Sequence, residues 1–494
     1  MKEESYKNIF KTTFLFGFVQ VFNILIKVIT NKIVAVLLGA EGMGIISLFN
    51  STIGLLKSGA GLGISQSAVR DISEANQSGD IRRFSQIISI THGVMIFTSL
   101  LGIVLTIILS PYLSNWSFGN NGYTVAFIVI SFVVGMNIFS DGQLAILTGM
   151  RRLKQLAKAS MIGSVVGLLS AVPFYYFLGK HGIVPSLLVT AFSSLLFSSY
   201  FVRQIKYDKI KLSIKESYVG ASPMINMGIA LMLVTFLGSL FDLVISAYIR
   251  SCSGLNDVGY YQAGVAIISG YFGIVITAMS TDYYPRISAI YNDNIKLTEE
   301  LNKQSETGLI LIFPLVILFV FLAPFFIQFL YSKDFIVSIS YTDYAILGTI
   351  IIIVSNCTGM VLLAKQVAKI FILSVLFQRL FLIGIYMLSY RYWGLLGLGF
   401  AYIISGIVHI LVMSVILKWK YNIFLQKKVY KLLLLVICTT ILTLFFRHID
   451  IVLIRYALGV VVFVFSFWFS YWYMKSQMKL NLLVILKNKF IHKK

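Results

Sequence analysis

Residues 13–38 read TFLFGFVQVFNILIKVITNKIVAVLL, an apolar run long enough to cross a bilayer, with Lys27 near its middle. About 20 apolar residues in a helix span the hydrocarbon of a membrane. A lone cation there costs roughly 2.5–3.5 kcal/mol on insertion scales, so it persists where it faces water or an anion. Gln20, Asn23, Lys27 and Asn31 follow one another at steps of three, four and four, which sets them on one face of a 3.6-residue helix. The run therefore predicts a membrane helix with one polar stripe turned to protein or water.

The rest of the chain repeats the pattern. Hydrophobic residues make up 58% of the 494 and charged residues 12%, well outside soluble averages. The spacing predicts an all-α polytopic membrane protein of about 14 transmembrane helices, near 13–38, 43–68, 85–109, 122–149, 159–178, 184–201, 222–249, 259–283, 305–330, 342–364, 370–390, 394–417, 432–446 and 456–474. Of the 41 Lys and Arg, 31 fall in even-numbered loops and the two termini, 6 in odd-numbered loops (Lys180, Arg250, Lys333, Arg391, Arg447, Arg455) and 4 within spans. Cytoplasmic loops carry the excess of Lys and Arg, so the split predicts both termini in the cytoplasm.

The net charge of +22 follows from that bias and from attraction to anionic lipid, not from a nucleic-acid surface. The tail 475–494 mixes apolar residues with Lys487, Lys489, Lys493 and Lys494, as a helix lying on the inner leaflet would. The start, Met1 to Lys11, lacks a small-residue cleavage site and reads as a retained first helix. Cys252, Cys357 and Cys438 share no metal-ligand spacing, so neither metal nor disulfide is expected. Trp393, Trp419 and Trp472, with Tyr471 and Tyr473, fall at span ends as an aromatic belt requires.

A shift of 215 residues superposes Glu41-Gly42-Met43-Gly44 on Asn256-Asp257-Val258-Gly259 and sets Lys27 opposite Asp242. A weaker echo sets Leu156-Ala157-Lys158 against Val367-Ala368-Lys369. Such half-chain similarity is a transporter signature, with the substrate site near the midplane between two bundles. The expected organisation is an N-lobe at 1–215 (helices 1 to 6), a C-lobe at 216–430 (helices 7 to 12), helices 13 and 14 at 431–474 and the tail.

Two further helices carry polar stripes: Asn50, Gly54, Lys57, Gly61 and Ser65 on the second, and Thr235, Ser239, Asp242 and Ser246 on the seventh. Small polar residues also glue membrane helices together, and that reading competes for each stripe. For Lys27, Lys57 and Arg379 it is weaker, because few acids lie within spans to pair them. Asp242 reads either as the partner of one of these lysines or as a titratable group for coupling to an H+ or Na+ gradient. Asp141, beside Asn137, Ser140 and Gln143, is the other acidic cavity candidate, open to the same two roles of ion coupling or salt bridge, whereas Asp282 lies near a span end and reads as interfacial. Lys32 could line the cavity or snorkel. His92 and His409 lack a second ligand at helical spacing and read as structural hydrogen-bonding residues.

Gly42-Met43-Gly44, Val258-Gly259-Tyr260-Tyr261-Gln262-Ala263-Gly264, Tyr284-Pro285-Arg286-Ile287-Ser288 and the stretch from Gly142-Gln143-Leu144-Ala145 to Gly149-Met150-Arg151-Arg152 resemble the Wzx polysaccharide repeat-unit flippases. Those belong to the superfamily that also holds the multidrug and toxin extruders and the lipid-linked peptidoglycan precursor flippases. The resemblance, over about 10–420, implies a two-lobed fold like the multidrug extruders in the bacterial cytoplasmic membrane. It implies flipping of undecaprenyl-pyrophosphate-linked oligosaccharide, of O-antigen, lipopolysaccharide or another surface glycan, without a cofactor, by alternating access. Membrane lipids and polysaccharide assembly proteins would be its partners. Lys27, Lys57 and Arg379 suit the pyrophosphate, and Asn23, Asn31, Asn50, Gln262 and Asn356 suit sugar hydroxyls. Two other readings compete: a drug or small-solute antiporter, whose cavity for cationic drugs would be acidic and aromatic, and a glycan polymerase or acyltransferase, which usually presents a long external loop or a clustered His/Asp/Glu site.

Overall fold

A computed structural model describes residues 2–78, 80–205, 207, 214–365 and 368–478, and its regular structure is helical throughout. The helices are α1 (Lys2–Leu37), α2 (Gly39–Ala60), α3 (Ile64–Ser78), α4 (Ile81–Phe118), α5 (Thr124–Gly149), α6 (Leu153–Leu178), α7 (Ile183–Arg203) and α8 (Ile214–Ser253). Then come α9 (Leu255–Val265), a π-helical stretch (Ala266–Phe272), α10 (Gly273–Ala289), α11 (Asn294–Leu330), α12 (Ile339–Ala364), α13 (Ala368–Tyr421), α14 (Lys427–Arg447) and α15 (Val452–Ser476). Among the described residues ten helical stretches are long and apolar enough to cross a membrane, or eleven when the bent pair α2–α3 counts as one span. Two of the ten, 153–203 and 373–421, contain breaks at Gly179–Gly182 and at Gly394. The chain is a multi-pass membrane protein. The expected tail helix lies, from residue 479 on, outside the described residues, as do Val367 of the second repeat echo and the Gln20 side chain.

The chain forms two compact units, 1–262 with 330–332 and 263–329 with 333–494. In the first, α4 packs on α5, α5 and α6 on α7, α1 on α6, and α8 against α2, α3 and α4. In the second, α12 packs on α10, α13 and α14, and α14 pairs with α15.

One expected span is corrected. The apolar run 43–68 is not one straight helix: α2 stops at Ala60 and α3 leaves it at 50°. The break sits at Leu62 and Gly63, both at positive φ, +50° and +63°. A Cβ on Gly63 would lie 2.0 Å from the Gly228 carbonyl oxygen of α8, so only glycine allows this approach. The elbow ends the stripe of the second span, and Gly61 and Ser65 lie at the bend rather than along one helix face.

At the other end of α2 the approach is closer still, and it is reciprocal. A Cβ on Gly44 would meet the Leu255 carbonyl oxygen at 2.1 Å, and one on Gly259 would meet that of Ala40 at 2.0 Å. Residues 44 and 259, like 40 and 255, are 215 apart. Ser47 Oγ donates to Gln262 Oε1 at 3.0 Å across the same separation.

Candidate functional site

The first unit holds a cavity of about 280 Å³ between α2, the elbow, α4, α5 and α8. Its position follows from the sequence: Gly54, Gly61 and Gly63 take bulk away from the α2 side, and Gly142 takes it from α5. Lys57, in the last turn of α2, and Asp141, on α5, face each other across it with Nζ and Oδ2 2.7 Å apart. Their side chains are 39% and 37% exposed, so this is a wetted pair rather than a dry one. Thr98 from α4 and Thr235 and Ser239 from α8 add hydroxyls, and Met95 and Ile138 supply apolar wall.

Two residues of the sequence reading, Lys57 and Asp141, thus meet. Of the two roles the sequence leaves open for Asp141, ion coupling or a salt bridge, the structure shows a salt bridge, with Lys57 as the partner. Their separation of 84 residues and the depth of each in a different helix gave no pairing signal. Asp242 lies on α8 with an exposed side chain.

The remaining candidates fall elsewhere. Asn23 donates through Nδ2 to Ser160 Oγ at 3.0 Å and accepts from Ser164 Oγ at 3.1 Å, so both ends of its amide fasten α1 to α6. That is the glue reading of its stripe. Lys27 is exposed four residues further along α1, Asn31 is half-buried and Asn50 of α2 is exposed. Lys32 donates to the Tyr331 carbonyl oxygen, a fixed contact rather than a free snorkel. Gln262 is held by Ser47 at the glycine crossing.

In the second unit Asn356 of α12 donates to Ser280 Oγ of α10 at 2.8 Å. Both border a cavity of about 10 Å³ that also touches Tyr283, Gln304 and Cys357, room for about one water molecule. Arg286, from the Tyr-Pro-Arg-Ile-Ser stretch, bridges Asp282 at 3.0 Å and Glu300, and donates to Gln304 at 2.7 Å, which ties α10 to α11. Arg379 is half-buried on α13. His92 contacts the Ile88 carbonyl at 3.0 Å and His409 contacts Ser355 Oγ at 2.8 Å, the structural roles expected of them. Among the described residues no cluster of His, Cys, Asp or Glu is arranged to hold a metal ion.

Sequence reading missed two buried acid sites in this unit. Asp343 of α12 and Arg447 of α14 form a bidentate ion pair with both side chains 10% exposed, and Arg447 Nη1 also reaches the Val320 carbonyl at 3.2 Å. Glu306 of α11 accepts from Tyr473 Oη of α15 at 2.7 Å and sits 3.2 Å from Lys428 of α14. Tyr473 is accordingly a buried residue, not a member of an aromatic belt. Among the six basic residues of the odd-numbered loops, Lys180 pairs with Glu41, Arg250 donates to the carbonyls of Trp116 and Ser117 at 3.1 Å each, and Arg447 pairs with Asp343. Their position on the sparse side of the charge split was the available signal.

A family model described as "Polysaccharide biosynthesis protein" matches residues 33–340. The chain belongs to that family. Among curated proteins, no sequence matches it. Among solved structures, this polysaccharide biosynthesis protein is similar to the lipid II flippase MurJ in an inward closed conformation. The TM-score is 0.70 at 15% identity, over 95% of this chain and 100% of that one. It is also similar to an inward-facing multidrug resistance MATE family transporter of the MOP superfamily, with a TM-score of 0.66 at 17% identity over 83% and 95% of the two chains. A third is a MOP superfamily transporter from Pyrococcus furiosus, described as having a binding pocket of reversed polarity, with a TM-score of 0.53 at 16% identity over 80% and 95%. The fold is therefore that of the MOP transporters, as the motifs between Gly42 and Ser288 implied.

Proposed function

We propose that this polysaccharide biosynthesis protein is a flippase, not an enzyme. It carries undecaprenyl-pyrophosphate-linked oligosaccharide repeat units from the inner to the outer leaflet of the bacterial cytoplasmic membrane by alternating access. The observation that carries the reading is a hydroxyl-lined cavity with an ion pair, inside a membrane-embedded unit of a chain from this family. Sugars and phosphates cannot cross hydrocarbon unaided, and a polar cavity between apolar helices replaces the water they lose. Lys27 serves the pyrophosphate, Asn31 and Asn50 serve hydroxyls, and Asp242 pairs a lysine or couples transport to an H+ or Na+ gradient. The oligosaccharide belongs to O-antigen or another surface glycan.

Deletion of the gene tests this reading. Lipid-linked oligosaccharide is expected to accumulate and to stay protected from periodate added outside intact spheroplasts, and the wild-type gene is expected to restore surface glycan. Absence of accumulation, with sensitivity to cationic drugs in its place, would overturn the flippase in favour of an antiporter.

A further inference from the structure

We propose that the Lys57–Asp141 cavity is the subsite for the sugar end of the lipid-linked substrate and not for its pyrophosphate, an assignment that rests on the flippase reading. The charge decides it first. Lys57 is matched by Asp141 at 2.7 Å, so the pair adds no net charge to the cavity. A pyrophosphate reaching Lys57 would bring its own negative charge beside the Asp141 carboxylate, and like charges at such distances repel.

The hydrogen-bonding capacity decides it second. An ammonium offers three donors and a carboxylate only acceptors, and here they stand side by side, as neighbouring hydroxyls on a sugar ring require. A pyrophosphate carries only acceptors and would leave the Asp141 carboxylate facing no donor of the ligand. At about 280 Å³ the cavity is just under the roughly 300 Å³ at which small-ligand sites begin, so it takes one end of the substrate and not the whole of it. Met95 and Ile138 add apolar lining to the same cavity, as the C–H face of a pyranose needs.

The test uses full-length protein in lipid nanodiscs and two probes. One is undecaprenyl pyrophosphate without sugar, and the other is the lipid-linked oligosaccharide purified from the deletion strain. Asp141→Asn is expected to weaken the sugar-bearing lipid by about tenfold and not to weaken the bare pyrophosphate. Equal loss for both probes, or unchanged affinity for the sugar-bearing lipid, would overturn the assignment. Ser239→Ala removes one hydroxyl that lines the cavity, so it carries the test if Asp141→Asn does not fold. It is expected to weaken the sugar-bearing lipid alone, and unchanged affinity for that lipid would count against the subsite. Wild-type protein that binds neither lipid would overturn the flippase reading itself, a result distinct from either failure of the subsite.

Discussion

Lys57 and Arg447 show how differently two ion pairs in one membrane protein can weigh. The Lys57–Asp141 pair is over one-third exposed on both sides, so water and other ligands compete for it. Arg447 and Asp343 are each 10% exposed, and the Val320 carbonyl takes a further guanidinium proton. Breaking a buried pair from one side leaves a charge without a partner, which costs about 3–5 kcal/mol, whereas an exposed pair is worth about 0–1 kcal/mol. Arg447→Ala is therefore expected to lower the melting temperature in detergent markedly, and Lys180→Ala, which removes the half-exposed partner of Glu41, to leave it nearly unchanged. Equal shifts for the two variants would show that the Asp343 site is not dry. The buried pair was not legible in the chain. Arg447 stands 104 residues from Asp343, and hydropathy reports the depth of each residue but not the direction in which its helix turns it.

At the scale of elements, the membrane-spanning character of the long helices was legible because bilayer thickness writes it directly into run length. The elbow between α2 and α3 was not, because Gly61-Leu62-Gly63-Ile64 continues the apolar run while the backbone turns through positive φ. The role of α14 and α15 was also beyond run length. Their attachment is polar: Ser470 Oγ of α15 donates to the Ile310 carbonyl at 3.0 Å, and Glu306 takes Tyr473 and Lys428. The connection into α14 is held by Asn302 of α11. Its Nδ2 donates to the Phe424 carbonyl at 3.0 Å, and its Oδ1 accepts from the Gln426 N–H at 2.7 Å. Asn302 is buried, so its loss strands a carbonyl and an N–H at about 1–3 kcal/mol. Asn302→Ala is expected to raise amide exchange at 422–426 and along the first turn of α14, with α12 unaffected. Unaltered exchange there would mean that α14 is held by apolar packing alone.

At the scale of the whole chain, the 215-residue repeat is the feature that reached furthest from sequence into structure, since it pairs segments far apart in the chain. The short segments 40–47 and 255–262 meet as equivalents: Gly44 against the Leu255 carbonyl, Gly259 against that of Ala40, and Ser47 against Gln262. The Lys27–Asp242 match, by contrast, identified equivalent positions that need not touch. Equivalence makes a prediction of its own. With Cβ atoms 2.1 and 2.0 Å from backbone oxygens that cannot swing aside, Gly44→Val and Gly259→Val should each force the two segments apart by the same route. In a background without the native cysteines, Ser47→Cys with Gln262→Cys is expected to cross-link readily, and either valine is expected to abolish the cross-link. The double valine variant should be little worse than either alone, because residues that share one contact are not additive. Cross-linking that survives one valine but not the other would show that the two halves of the crossing are not equivalent, and that the repeat ends short of it.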